Sequence, residues 1–349
     1  MKENTRSIYL DMLKIISCFA VITIHVSAVG FKNTNINSIA WNISNVFNNI
    51  SRFAVPVFVM ISGALFLNEN KKLDIKKLWL KNILHLVTIY IFWTLIYAIY
   101  SVYNKYGIND LNFTGVIKNA IKSSYYHLWF IPMLIGIYIL IPVIKPIVKD
   151  GRKTIEYFLI IAFIFKVIPD TIKLFEFPYV KYIKAILNRI NIEMIGYVAY
   201  FVLGHYLNTY VLKKKTRNII YILGILSVVI SIVETRGYSM YKSKAVETLC
   251  REFSITTAIM SIAIFTLFKY LFDTKVFSKS FNSIIIHLSK TSLGIYLVHI
   301  LFKDIMKNQL GVKFTKTYLT PVYVLIIFIA SYLVSFVLSK IPKVNKYIV

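Results

Sequence analysis

The chain of 349 residues is 57% hydrophobic with a mean hydropathy of +0.65, and apolar runs near 20 residues recur from end to end; this excludes an ordinary soluble fold and indicates a polytopic membrane protein. Its formal charge of +26 comes from 41 Lys and Arg scattered over short loops rather than gathered in a basic arm, which argues against nucleic acid as a partner. Two cysteines, Cys18 and Cys250, offer neither a disulfide framework nor metal-ligand spacing, so they read as packing residues and no metal is expected.

In chain order the apolar runs predict about ten transmembrane helices, near residues 8–30, 50–67, 82–103, 128–148, 155–168, 192–212, 218–234, 254–272, 288–306 and 319–339. Lipid offers no partner to unpaired backbone groups, so such runs are helical, and the lack of alternation excludes a β-barrel. The expected fold is all-α. With the N-terminus inside, 22 Lys and Arg fall on the cytoplasmic side and 18 outside, Lys14 being left uncounted within the membrane, and an even helix count returns the C-terminus to the cytoplasm. The first run is long for a signal peptide and carries Asp11 and Lys14 near its start, so it is expected to be retained. No linker, repeat or low-complexity stretch divides the chain, which reads as one membrane domain over residues 1–349.

Charged and imidazole groups inside spans are costly and point to function. Lys14 and His25 are 11 residues apart, which on one helix puts them on the same face to within about 20° and about 16 Å apart along the axis. An antiparallel second helix brings Arg52 near the depth of His25, and Ser62 with Gly63 near the depth of Lys14 and Asp11. Two polar layers result. The external one also takes His127, Trp129, Glu193 and His299, the cytoplasmic one Ser292 and His205. Plainer readings exist for several of these: Asp11 with Lys14 as a structural ion pair, Arg52 as a snorkelling helix-end residue, and His85, His205 and His287 as interfacial.

Four segments resemble the acyltransferase 3 family of integral-membrane O-acyltransferases: YLDMLKIISCFAVITIHVS from Tyr9 to Ser27, SRFAVPVFVMISGALF from Ser51 to Phe66, YHLWFIPMLIGIYILIPVI from Tyr126 to Ile144, and SLGIYLVH from Ser292 to His299, with a weaker fifth, IGYVAYFVLG, from Ile195 to Gly204. The resemblance implies about ten helices and transfer of an acyl group, usually acetyl, from cytoplasmic acyl-CoA to a hydroxyl of an envelope glycan or lipid-linked sugar at a bacterial plasma membrane. It implies that His25 acts in catalysis and that Lys14 stands where many members carry Arg. Lys keeps the charge and loses the bidentate fork.

The residues suit that chemistry. An imidazole takes a proton from a sugar hydroxyl, either directly for the attack or while carrying the acyl group itself. Asp11, Lys14, Arg52 and Ser62 are the candidates for donor or oxyanion binding, and His127, Trp129, Glu193 and His299 for the acceptor. No P-loop, dinucleotide glycine pattern, HExxH or nucleophile elbow is present. A transporter or flippase for a lipid-linked saccharide is the alternative, against which stands the lack of repeated halves; a non-enzymatic component of a glycan-synthesis complex is another.

Overall fold

A computed structural model describes residues 6–68, 72–107, 113–122, 125–176, 180–190, 195–273 and 275–342. Every regular element among them is helical. The first helix, α1 (Ile8–Asn33), runs from the N-terminal side of the bundle to the far side, and α2 (Ile39–Ile50) and α3 (Ala54–Phe66) return as one span. α4 (Leu84–Tyr106), entered through a π-helical segment at Leu78–Ile83, crosses again and is followed by the amphipathic α5 (Phe113–Lys122). Then come α6 (Phe130–Lys149), α7 (Arg152–Ala162) continued through a π-helical turn into α8 (Ile168–Lys173), α9 (Val180–Ile190), α10 (Ile195–Thr209), α11 (Lys214–Tyr241), α12 (Ile255–Phe272), α13 (Lys279–Lys290), α14 (Ser292–Asn308) and α15 (Thr320–Lys340).

Seven helices among the described residues are long and apolar enough to cross a membrane, or eight when the bent pair α13 and α14 is taken as one span. Helices α7–α8 and α10 lie where the fifth and sixth spans were expected, but neither is among the seven long, apolar helices. The first carries Arg152, Glu156, Lys166 and Asp170, and the second is 15 residues long. Two boundaries differ from the sequence expectation. The second span begins at Ile39, because Asn45 and Asn49 are buried within the bundle: Asn45 Nδ2 donates to Ile232 O at 2.9 Å and Asn49 Oδ1 accepts from Ser231. Amides paired across helices are tolerated in a bundle, but they lower the hydropathy by which a span is recognised. The ninth span bends by 60° between Lys290 and Ser292.

Close approach of α3 and α10 depends on two glycines. A Cβ at Gly63 would lie 1.7 Å from Phe201 O, and one at Gly204 would lie 1.9 Å from Met60 O. Small residues let helix backbones meet where lipid gives no hydrophobic push. The C-terminal end of α10 is closed by Lys269, whose Nζ donates to the carbonyls of Leu207 at 2.6 Å, Asn208 at 2.9 Å and Tyr210 at 3.2 Å, a cation where the helix dipole is negative. α1 is the hub: α2, α3, α12, α13, α14 and α15 all pack on it.

Candidate active site

Three histidines from three elements meet beside α1. The His25 ring lies 5.3 Å from that of His299 on α14, and His299 lies 5.4 Å from His127 in the turn before α6, centroid to centroid. Main-chain carbonyls orient the last two: His299 Nδ1 is 2.5 Å from Tyr296 O, and His127 Nε2 is 3.4 Å from Leu297 O. A carbonyl only accepts, so the ring protons are assigned to those nitrogens. His299 Nε2 and His127 Nδ1 are then left as buried lone pairs with no hydrogen-bond partner among the described residues. His25 is partly exposed although it lies within the bundle. Ring contacts to Tyr126 and His299 hold it, and no hydrogen bond among the described residues fixes its nitrogens. The rings meet in series, and no group of three His, Cys, Asp or Glu among the described residues is arranged to hold a metal ion.

A second cluster adjoins His25. Lys303 Nζ donates to Tyr126 Oη at 2.7 Å and pairs with Asp304 at 2.9 Å, while the Tyr125 hydroxyl donates to the Asp304 carboxylate. The Tyr126 ring lies 5.3 Å from His25. Surrounding protein desolvates the Tyr126 phenol and the Asp304 charge adds to the effect, both raising its pKa well above the ordinary tyrosine value, so it remains a donor. Sequence reasoning did not single out Tyr126, Lys303 or Asp304. The signal was present, since Tyr296, His299 and Lys303 are spaced i, i+3 and i+7 on one helix face.

On the N-terminal side, a cavity of about 300 Å³ is lined by Lys14, Ser62, His85, Tyr138, Ser292 and Tyr296. Lys14, Ser62 and Ser292 thus share one layer, and His85, expected at the interface, joins them. His205, expected in the cytoplasmic layer or at the interface, is buried among the helices and is not on this cavity wall. Asp11 does not form an ion pair with Lys14. Arg6 holds its carboxylate through two hydrogen bonds of 2.6 and 2.9 Å, and Ser289 Oγ donates to it at 2.5 Å. His25 does not line the cavity. Between them stands Tyr296, on the cavity wall, whose ring lies 5.6 Å from His299 and whose hydroxyl donates to His127 O.

Arg52, on the far side, pairs with Glu247 at 2.8 Å and donates through Nε to Asn48 Oδ1 at 2.8 Å. His127 and Trp129, neighbours in sequence, diverge: His127 enters the histidine series, and Trp129 turns to Tyr197 at 5.7 Å. Glu193 lies outside the described residues.

The described residues form a helical membrane bundle in which three histidines meet and Tyr296, beside two of them, also lines the cavity that holds Lys14. The model of the acyltransferase 3 family, described as an acyltransferase domain, matches residues 7–340, and the chain belongs to that family. No curated protein and no solved structure matches it.

Proposed function

We propose that this membrane acyltransferase moves an acetyl or other short acyl group from cytoplasmic acyl-CoA to a hydroxyl of a cell-envelope glycan or lipid-linked saccharide, with His25 as the catalytic residue. The chain would sit in a bacterial plasma membrane with ten crossings and both termini in the cytoplasm. One observation supports the reading: Tyr296 lines the Lys14 cavity and also touches the rings of His299 and His127, so a donor held in the cavity and an acceptor reaching His25 from the far side would meet at this layer.

The cavity is at the small end of the range for ligand sites, about 300–1,000 Å³, and suits the pantetheine arm rather than the whole coenzyme. Lys14, Ser62 and His85 contact that arm, and the nucleotide stays among the basic residues at the cytoplasmic face. The thioester passes the rings of Phe58, Phe130 and Tyr296, which meet at 6.1 and 5.3 Å. His25 takes the proton of the acceptor hydroxyl as its oxygen bonds to the thioester carbon. The carbon–sulfur bond then breaks and the imidazolium returns the proton to the leaving sulfur, which closes the balance. The Tyr126 hydroxyl, with Lys303 behind it, donates to the oxyanion between these steps. Arg52 keeps its charge engaged with Glu247 and takes its place toward the acceptor.

Replacement of His25 by Ala tests the reading. Reconstituted protein given acetyl-CoA and an envelope glycan fraction should lose at least about 10²-fold in transfer while membrane levels hold. Native-like transfer would overturn it. In a thermal-shift titration, coenzyme A should protect the native chain and not Lys14→Ala; equal protection counts against the donor site.

A further inference from the structure

We infer that the far side of the bundle holds a subsite for an anionic saccharide, in a two-lobed cleft formed by the ends of α8, α9 and α11 and the loop leading into α12. The inference rests on the acyl-transfer reading above and names the acceptor class. The lobes have volumes of about 310 and 290 Å³ and share Lys173, Leu174 and Arg251, so they adjoin as one elongated concavity rather than two pits.

Charge selects the ligand. The walls carry five cations, Lys173 and Arg251 at the waist with Lys184, Lys242 and Lys244 in the second lobe, against the carboxylates of Asp170, Glu176, Glu247 and Glu252. Three of those carboxylates are already engaged. Asp170 pairs with Lys166 at 2.9 Å and with Lys173 at 3.7 Å, Glu247 pairs with Arg52 at 2.8 Å, and Glu176 pairs with Lys242. With Lys166 and Arg52 included, seven cations stand against four carboxylates. Arg251 is exposed and has no ion pair among the described residues. A guanidinium in a concave wall with a surplus of positive charge is suited to bidentate recognition of phosphate or carboxylate. The rings of Tyr238 and Phe253 supply an apolar surface in each lobe for the sugar faces.

The cleft adjoins the layer of the histidines in sequence and packing. Glu247, on its wall, holds Arg52. Phe253 meets Tyr197 at 4.7 Å, and Tyr197 meets Trp129 at 5.7 Å, two residues from His127 in the turn before α6. A glycan anchored by its anion at Arg251 would lie beside the Glu247 carboxylate that holds Arg52. An anionic lipid headgroup shares the charge, but it would leave two polar lobes with aromatic walls unfilled.

The test uses the full chain in phosphatidylcholine nanodiscs, titrated calorimetrically with tetragalacturonate, a phosphorylated maltotetraose, and maltotetraose. At least one anionic oligomer should bind, weaken with salt, and lose about tenfold or more in Arg251→Ala and in Lys244→Ala, whereas maltotetraose should not bind. The tighter of the two oligomers says whether the anion is carboxylate or phosphate. Equal binding of maltotetraose, unchanged affinity in both variants, or full competition by phosphatidylglycerol nanodiscs would overturn the subsite. His25→Ala separates the two claims: it should bind as the native chain does and not transfer. A His25→Ala chain that transfers sinks the catalytic reading and leaves the cleft result standing; loss of the cleft result leaves His25 untouched.

Discussion

Replacing Tyr126 with Phe removes one oxygen and little else. The residue is 50% exposed, and its ring keeps its contacts with His25 and Tyr125. The stability cost is confined to the 2.7 Å hydrogen bond from Lys303, about 1–2 kcal/mol, because Lys303 retains Asp304 at 2.9 Å. The catalytic cost is larger: losing one donor to a developing oxyanion costs about 10²–10³-fold in rate, or about 2.7–4 kcal/mol. The assay is thiol release from acetyl-CoA by proteoliposomes supplied with envelope glycans, alongside thermal unfolding of the same preparations. kcat should fall by that factor with KM for acetyl-CoA nearly constant, and Lys303→Met should follow in the same direction. A Tyr126→Phe chain within about fivefold of native kcat would refute an oxyanion role and make the Lys303–Asp304 cluster structural only.

Gly63→Val should part α3 from α10 and cost about 3 kcal/mol or more, since a Cβ there would lie 1.7 Å from Phe201 O; Gly136→Ala, where a Cβ meets nothing within 4 Å, is the control and should melt as native in detergent. Lys269→Met leaves three carbonyls at the end of α10 without their donor; about 1–3 kcal/mol of stability and faster amide exchange near Tyr210 are expected, and unchanged exchange would argue against the cap. Glu176 is held below the ordinary carboxylate value of 4.5 chiefly by its hydrogen bond from Lys242. A carboxylate whose folded pKa is lowered stabilises above its unfolded pKa and loses that contribution as pH falls through the folded value. Native and Glu176→Gln should therefore differ in melting temperature at neutral pH and converge in acid, by a small margin that salt abolishes. A gap that widens in acid would contradict the pair.

Much of the histidine layer was legible because depth in a bilayer follows residue count. With α1 running one way and the next span returning, His25, Arg52, His127 and His299 fall at one level, and three of the four meet through ring contacts. What was not legible is rotation about each helix axis and the side-chain partners it selects. Asp11 was read beside Lys14 at i, i+3, yet Arg6 and Ser289 take it, because α13 bends under α1 at a break that no proline or glycine marks. Residue count places His127 and Trp129 in one external layer, but the turn before α6 sends them in different directions. The asparagines of α2 made a buried seam look like a loop, since hydropathy records the cost of an amide and not its partner.

Partnering also singles out Lys14. Arg52 has Glu247, Lys166 has Asp170, Lys303 has Asp304, Lys269 has three carbonyls, and Lys145 donates to Asn68 O at 3.4 Å. Lys14 has no ion pair among the described residues and opens instead onto the cavity with Ser62, His85 and Ser292. An unpaired cation within a span costs about 2.5–3.5 kcal/mol on insertion scales. A bundle that pairs its other buried cations and leaves this one facing a cavity of about 300 Å³ keeps it for an anion or polar group that arrives from outside. Lys14→Met should then leave the chain as stable as native or more so, while the donor concentration needed for half-maximal transfer rises at least about tenfold. A clear loss of stability with donor affinity unchanged would assign Lys14 to the fold instead.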